Sequence, residues 1–421
     1  MSSHVVRRRT ILRAAALGPV GGLAAGCAEL ARVTGLGDPV RVAVSWSATE
    51  LAAFQRVLGA RADDCELVPL GDDIDAALGA NATYRLDMVA VPRPKLVLAN
   101  VDRLAPLPDD VWKPDYDEIW PGGLAARDGR HYALPFKLAH ASVVWYRKSL
   151  FAEHGLRAPT NWSEWLDLND RITEQAGIAP LALGGADGWL LAQFFANVLL
   201  RHFDGTYDAL VRGAPGAWAA GDVRAAFGMV AAMWGRPDAL SGGAERALVA
   251  QFPEAVLAVF HHHEAAMVPA PDFAESVIRE FDALDDDVDK FTFPAAPGLG
   301  PRLVATGDLL VLTAPSRPAA GDLIRHLSGP EAPVPWITGT GGFIAANRKT
   351  DLSHYTQNLR ELAMELRSSD PRFDLSDQVV LGDVLKRVLQ DLLRALAAGT
   401  APAAAADTAA RAMADAERAA P

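Results

Sequence analysis

The chain has 421 residues, 50% of them hydrophobic, with a formal net charge of −12. That length and apolar content can bury the cores of two or three domains. The acidic balance argues against nucleic acid or a polyanion as partner and leaves neutral ligands open.

The N-terminus reads as an export signal over residues 1–26. Arg7-Arg-Arg-Thr-Ile-Leu-Arg13 precedes an apolar run, Ala14 to Ala25, broken by Gly18, Pro19, Gly21 and Gly22. The run is too short and too interrupted to span a bilayer, and a basic head before a short apolar middle describes a signal peptide. Arg8-Arg9-Thr10-Ile11-Leu12 resembles a twin-arginine signal. Leu23-Ala-Ala-Gly-Cys27 resembles a lipobox, with Ala24 where leucine is usual. The expectation is a lipidated Cys27 that anchors the protein to the membrane; a cut before an ordinary cysteine and an uncleaved anchor are the alternatives. Removing the signal, with its four arginines and no acid, takes the net charge from −12 to −16. The other cysteine, Cys65, reads as a small packed residue, and with Cys27 modified no intrachain disulfide is possible.

Residues 28–39 form a tether. Val40, Val42, Val44 and Trp46 alternate with smaller or polar residues, a strand with one apolar face. Ser47-Ala-Thr-Glu50 then makes a capping box for a helix with Leu51, Phe54 and Leu58 on one side. Trp46 thus stands at the carboxyl end of a strand, the edge where open α/β sheets bind ligands; core packing is its other reading, and a simple cap is that of Glu50. Strands at 67–70 and 86–91 flank a short helix near Asp75, an order that implies a mostly parallel sheet. Asp87 opens the third strand, as a ligand contact or as a strand-edge acceptor.

From His131 to Leu166 the chain passes between two kinds of structure. Ala141-Ser-Val-Val-Trp-Tyr146 is a buried strand. Asn161, with Glu164 three residues on, starts a fresh helix that Gly177 stops. Lys137 and His140 lie just before the strand, able to reach hydroxyls or to sit on a solvated edge. Gly184-Gly185 permits close approach of the backbone to a ligand, and Asp187 and Trp189 set a carboxylate and an aromatic plane at the start of an apolar helix, Leu190 to Leu200. Asp187 also fits a plain N-cap. Val223, Phe227, Val230 and Trp234 share a helical face, which makes Trp234 either core or contact. Ala255 to Phe260 reads as a buried strand that delivers His261-His-His263 to a loop. Zinc needs three or four ligands in a tetrahedral array, and no such set accompanies these histidines. Asp282 to Asp289 is a solvated acidic run. Phe291 to Gly298 crosses back, Thr306 to Thr313 is a strand that carries Asp308, and Gly341-Gly342 opens a loop that ends at Asn347. Asp351 to Ala416 is largely helical, with alanine-rich 401–406 expected to fray.

Leu134-Pro-Phe136, Val143-Val-Trp-Tyr-Arg-Lys-Ser-Leu-Phe151, Gly155-Leu-Arg-Ala-Pro159 and Asn161-Trp-Ser-Glu164 together resemble the crossover of bacterial extracellular solute-binding proteins of the carbohydrate ABC-importer class. Pro180 through Trp189, Gly307 to Thr313, Gly341 to Asn347 and Phe373-Asp-Leu-Ser-Asp377 resemble further segments of that family, in its order; Ala345 replaces the family's usual proline. The resemblance implies an α/β fold, a two-lobed periplasmic-binding-protein-like clamshell of type II with a helical C-terminal tail. Residues 40–145 with 303–348 would form one lobe, and 146–298 with 351–421 the other. It implies a sugar held between the lobes by Trp46, Glu50, Asp87, Lys137, Trp145, Asp187, Trp189, Trp234, His263, Asp308, Gly341 and Gly342. It further implies ABC permease subunits as partners, a monomer on the outer face of the cell membrane, no cofactor, no metal and no enzymatic activity.

Sugar recognition is chemically consistent with these residue types: aromatic faces for the CH side of a ring and carboxylates, amides or lysines for its hydroxyls. Two rivals stay open. A glycosidase needs two carboxylates flanking the scissile bond, and acids are plentiful here, although no GxSxG, P-loop, HExxH or GxGxxG stands in context. A lipid-anchored interaction protein that kept the fold and lost its ligand is the other.

Overall fold

A computed structural model describes residues 38–420 apart from 47, 80–84, 112–115, 117–125, 128, 282–286 and 301. Cys27 and the whole expected signal lie outside the described residues, as does Ser47 of the expected capping box. Val40–Pro421 form one unit, and the fold below is that unit's.

Along the chain the strands are β1 (Val40–Val44), β2 (Cys65–Pro69), β3 (Met88–Val91), β4 (Leu104–Ala105), β5 (Ala126–Arg127), β6 (Arg130–His131), β7 (Ala133–His140), β8 (Val143–Arg147), β9 (Ala179–Leu181), β10 (Ala265–Pro269), β11 (Val288–Thr292), β12 (Val304–Thr313), β13 (Ile344–Ala345) and β14 (Arg372–Phe373). The large sheet has the order β13-β7-β12-β3-β1-β2, with β4 and β14 attached to β12. β2, β1 and β3 run parallel, as do β12 and the short β14, but β12 is antiparallel to both β3 and β7. The sheet is therefore mixed rather than mostly parallel, because a returning strand, β12, occupies its centre. β1 is a central strand covered on both faces, so Ala43 is buried as fully as Val42 and Val44. The small sheet has the order β11-β8-β10-β9.

Two apolar cores follow from the period-two alternation of these strands. In β8, Val143 and Trp145 join the first core, and Val144 and Tyr146 the second. The first core wraps the large sheet and reaches one face of the small one. The second fills the other face, beneath the helices Trp162–Ala176, Trp189–His202, Gly221–Trp234 and Gly382–Ala397. Asn161 caps the first of these by accepting from the Glu164 N–H at 3.0 Å, and Gly177 ends it in the left-handed region.

Two expectations are corrected. Ala255–Phe260 is not a strand but most of the helix Phe252–Phe260; Gln251 and Glu254 form its capping box and Pro253 sits in its first turn. Nor does the alanine-rich stretch fray. It starts the helix Pro402–Ala419, whose small Ala405, Ala406 and Ala409 bury against Gly221–Trp234, with Arg224 and Asp407 paired at 2.6 Å alongside.

The chain passes between the sheets three times, and the passages are hydrogen-bonded side by side. Ser142 ties the first two: its carbonyl accepts from Phe293 N and its hydroxyl accepts from Val304 N, at 2.9 and 2.8 Å. That hydroxyl also donates to Asn197, whose amide holds the Ala141 carbonyl at 2.9 Å. In the third passage Asp374 N donates to Ala305 O at 2.9 Å. This passage follows β14, and the loop after Gly341 instead feeds β13 of the large sheet. The helix Gln357–Ser368 bridges: Leu359 and Leu362 enter the first core, while Asn358 donates to Val288 O of β11 at 3.1 Å.

Candidate binding site

A cavity of about 570 Å³ opens above these passages. The large sheet contributes Ser45 and Trp46 after β1, Pro92 and Arg93 after β3, Lys137 and Ala139 from β7, and Thr306 to Asp308 from β12, with Glu50 from the helix Ala48–Leu58. Facing them are Asp187, Trp189 and Gln193 around the start of Trp189–His202, Phe273 beyond β10, and Asp374, Ser376, Asp377, Asp383 and Lys386.

Register builds the first wall. Lys137 and Asp308 are paired neighbours on β7 and β12, and the ladder slips immediately after Asp308. Gly307 permits the contact, since a Cβ there would stand 2.3 Å from the Lys137 carbonyl oxygen. Asp308 accepts from the Trp46 indole N–H at 2.9 Å, and Lys137 donates to Glu50 at 2.7 Å. The Lys137 ammonium also lies 5.0 Å from the Phe273 ring centre and 5.1 Å from that of Trp336. Burial alone would depress the lysine, but Glu50 and then Asp308 hold it above its ordinary value. Burial pushes the Asp308 carboxyl up, and Lys137 and the Trp46 N–H pull it back. The result is two pre-oriented pairs, Trp46–Asp308 and Lys137–Glu50, with little freedom to rotate.

The second wall is aromatic and acidic. Trp189 is half-buried and packs near Phe252 and Phe273, with ring centres 5.7 and 6.0 Å away. Asp187 is exposed to the cavity, and the N-cap of its helix is Gly188, which is left-handed. Gly184 and Gly185 serve packing rather than ligand approach: a Cβ on either would meet the backbone of Gln251 or Ala247 at 3.0 or 2.7 Å.

Six of the twelve expected contacts therefore come together: Trp46, Glu50, Lys137, Asp187, Trp189 and Asp308. The other six lie elsewhere. Asp87 precedes β3, at the end of the strand remote from Pro92, and holds Arg317 at 2.7 Å and the Arg41 N–H at 2.9 Å. Trp145 is fully buried, its N–H shared between the Ala270 and Pro271 carbonyls. Trp234 packs 5.2 Å from Phe194 in the second core. His263 is exposed in the turn before β10, so it stands at the amino end of that strand. Gly341 and Gly342, both with positive φ, dock against the helix Ala274–Glu280: Gly342 N donates to Glu275 at 2.8 Å, and a Cβ on Gly341 would lie 2.4 Å from that carboxylate. His140 is buried 3.3 Å from Glu365 rather than lining the cavity.

Sequence reasoning passed over Phe273, Arg93, Gln193 and the cluster at 374–386. Phe273 follows the carboxyl end of β10, and recognising 252–260 as a helix would have moved attention there. Beside it, Asp272 is wholly buried and neither carboxylate oxygen has a hydrogen-bond partner. Burial pushes its carboxyl up to about 7 against the pull of Lys137.

Comparison with known proteins agrees with this geometry. The profile of a family described as "Bacterial extracellular solute-binding protein" matches residues 72–332. The osmoprotective compounds-binding protein GgtB of Synechocystis is 25% identical over 315 residues, which is 70% of this chain and 72% of GgtB. The alpha-glucosides-binding periplasmic protein AglE of Rhizobium meliloti is 28% identical over 323 residues, 69% of this chain and 68% of AglE. Among solved structures, the bacterial solute receptor AcbH, whose described preference is for β-D-galactopyranose, superposes with a TM-score of 0.74 at 19% identity, covering 91% of this chain and 99% of that one. Maltose-bound MalE3 of T. maritima superposes at 0.69 and 18% identity, covering 89% and 98%.

Proposed function

The chain belongs to the bacterial extracellular solute-binding protein family and has its two-lobed type II periplasmic-binding fold, and from that premise we propose that it captures a sugar or oligosaccharide between its lobes and hands it to an ABC importer. The observation that carries this reading is the cavity's make-up. Aromatic faces at Trp189 and Phe273 line the same cavity as the fixed Lys137–Glu50 and Trp46–Asp308 pairs, with Phe273 in contact with the Lys137 ammonium. Aromatic faces take the apolar side of a sugar ring, and charged hydrogen-bonding groups are worth more than neutral ones to hydroxyls in a water-poor site. The relatives named for alpha-glucosides and the receptors seen with sugars are of the same kind. The protein acts without chemistry on its solute, outside the cytoplasm, with Cys27 as its lipid attachment.

A thermal-shift and tryptophan-fluorescence screen of mono- and oligosaccharides tests the solute class. A ligand at 100 times its Kd adds about 2.7 kcal/mol of stability, a clear rise in melting temperature. Absence of any response across the panel would count against a sugar. For the anchor, Cys27→Ser should release the protein from membranes into the soluble fraction; retention of the variant would refute lipidation at that residue.

A further inference from the structure

Resting on the sugar reading above, we propose that Gln193 is a specificity-determining residue of the cavity, its side-chain amide reading two adjacent free hydroxyls on the sugar ring that lies against Trp189. The helix Trp189–His202 is buried from Leu190 to Leu200, and Gln193 and Asn197 are the two polar residues in that apolar stretch. Trp189, Gln193 and Asn197 follow one another at intervals of four. They therefore share one face of the helix on successive turns, each about 5.4 Å along the axis. Asn197 is fully engaged within the protein: its amide donates to Ala141 O and Gln193 O, both at 2.9 Å, and accepts from the Ser142 hydroxyl. Gln193 thus stands one turn below Trp189, between it and the passages that Asn197 holds.

Gln193 has no such engagement. It is only 4% exposed, and it lines the cavity. Among the described residues its side-chain amide has no hydrogen-bond partner, yet neither of its polar atoms is sealed from solvent. Buried amides are ordinarily paired, so this one is a costly choice among leucines and phenylalanines unless something in the cavity completes it. The charged groups nearby are already taken: Lys137 by Glu50, Asp308 by the Trp46 N–H, Lys386 by Asp383. A primary amide carries an acceptor and a donor side by side. Two neighbouring ring hydroxyls match it, one donating to Oε1 and the other accepting from Nε2. A ring that lacks either hydroxyl, or carries it alkylated, leaves half of the amide unpaired. Sites that hydrogen-bond a hydroxyl reject analogues without it far more strongly than an apolar pocket rejects an extra methylene.

The test is isothermal titration of wild type and Gln193→Met with glucose, galactose, maltose and raffinose, and with the monodeoxy forms of whichever binds tightest. Wild type should bind the two forms that lack one or the other of a pair of adjacent hydroxyls at least about tenfold more weakly than the parent, about 1.4 kcal/mol each. Gln193→Met keeps the length of the side chain and removes the amide. It should bind the parent at least about tenfold more weakly and treat those two deoxy forms like the parent, the coupling that a double-mutant cycle reads. Without sugar it should melt no lower than wild type, because an unpaired buried amide adds no stability; a glutamine with a purely structural role would lower the melt and leave the deoxy penalties intact. Wild-type affinity of Gln193→Met for the parent, or deoxy penalties that persist in it, overturns this inference and leaves the sugar reading standing. So does a wild type that shows no penalty at any adjacent pair, whatever the variant does. Binding of none of the four sugars to wild type overturns the sugar reading and this inference with it.

Discussion

Asp272 shows how a single buried charge couples the site to stability. Its folded pKa of about 7 stands above the ordinary 3.8, so between those values the folded state holds a proton that the unfolded state has released. Stability contributed by the protonated form is therefore present in acid and lost as pH rises through that window, by on the order of 4 kcal/mol at the upper end. Asp272→Asn should melt higher than the wild type at about pH 8 and little differently at about pH 4. Parallel melting curves for the two proteins across that range would contradict the assignment. At this scale the sequence was informative where a residue's place followed from a local junction: Trp46 after a strand, Trp189 after a glycine turn. It was uninformative for Asp272 and Asp374, whose burial depends on segments far away in the chain. Asp87 and Trp145 were misplaced because their chemistry suits a ligand as well as it suits Arg317 or a backbone carbonyl.

At the scale of elements, the apolar run 255–260 was too short for periodicity to separate strand from helix. The Gln251–Glu254 box and Pro253 carried the answer, and taking the run as a strand sent the histidines to the wrong end of β10. The loop at Gly341-Gly342 is a similar case. Its glycines suit close approach, and what approaches is the helix Ala274–Glu280 from the small-sheet side. Glu275 uses both oxygens there, one for Gly342 N and one for the Thr356 hydroxyl. Thr49 reaches Glu280 of the same helix at 3.2 Å. These bonds join elements that pack on the two different sheets. Glu275→Ala removes both acceptor oxygens, and the bond to Gly342 N alone is a loss of about 1.5–3 kcal/mol for a bond to a charged group. The Gly342 amide should then exchange with solvent roughly ten- to a hundredfold faster, as read by hydrogen exchange. Unchanged protection would mean that the loop is held by packing alone.

For the whole molecule, the two sheets, the first two passages between them and the helical tail were legible because they rest on patterns that repeat, buried strands, capped helices and glycine stops, whereas the third passage was expected after Gly341 and follows β14 instead. The mixed direction of the large sheet was not legible either, since β12 reaches its centre only after the chain has built the small sheet. The three passages bonded through Ser142 and Ala305 leave few backbone angles to change, which suits hinge closure on a ligand that touches both sides. The claim that a solute is held between the sheets is tested most directly by titrating one responsive saccharide into wild type, Asp308→Asn and Trp189→Ala, each checked for folding. Asp308 belongs to the large-sheet wall and Trp189 to the opposite one. Both variants should bind at least about tenfold more weakly, in line with about 1–3 kcal/mol for a lost buried contact. Wild-type affinity in either variant would mean that the solute does not bridge the two walls.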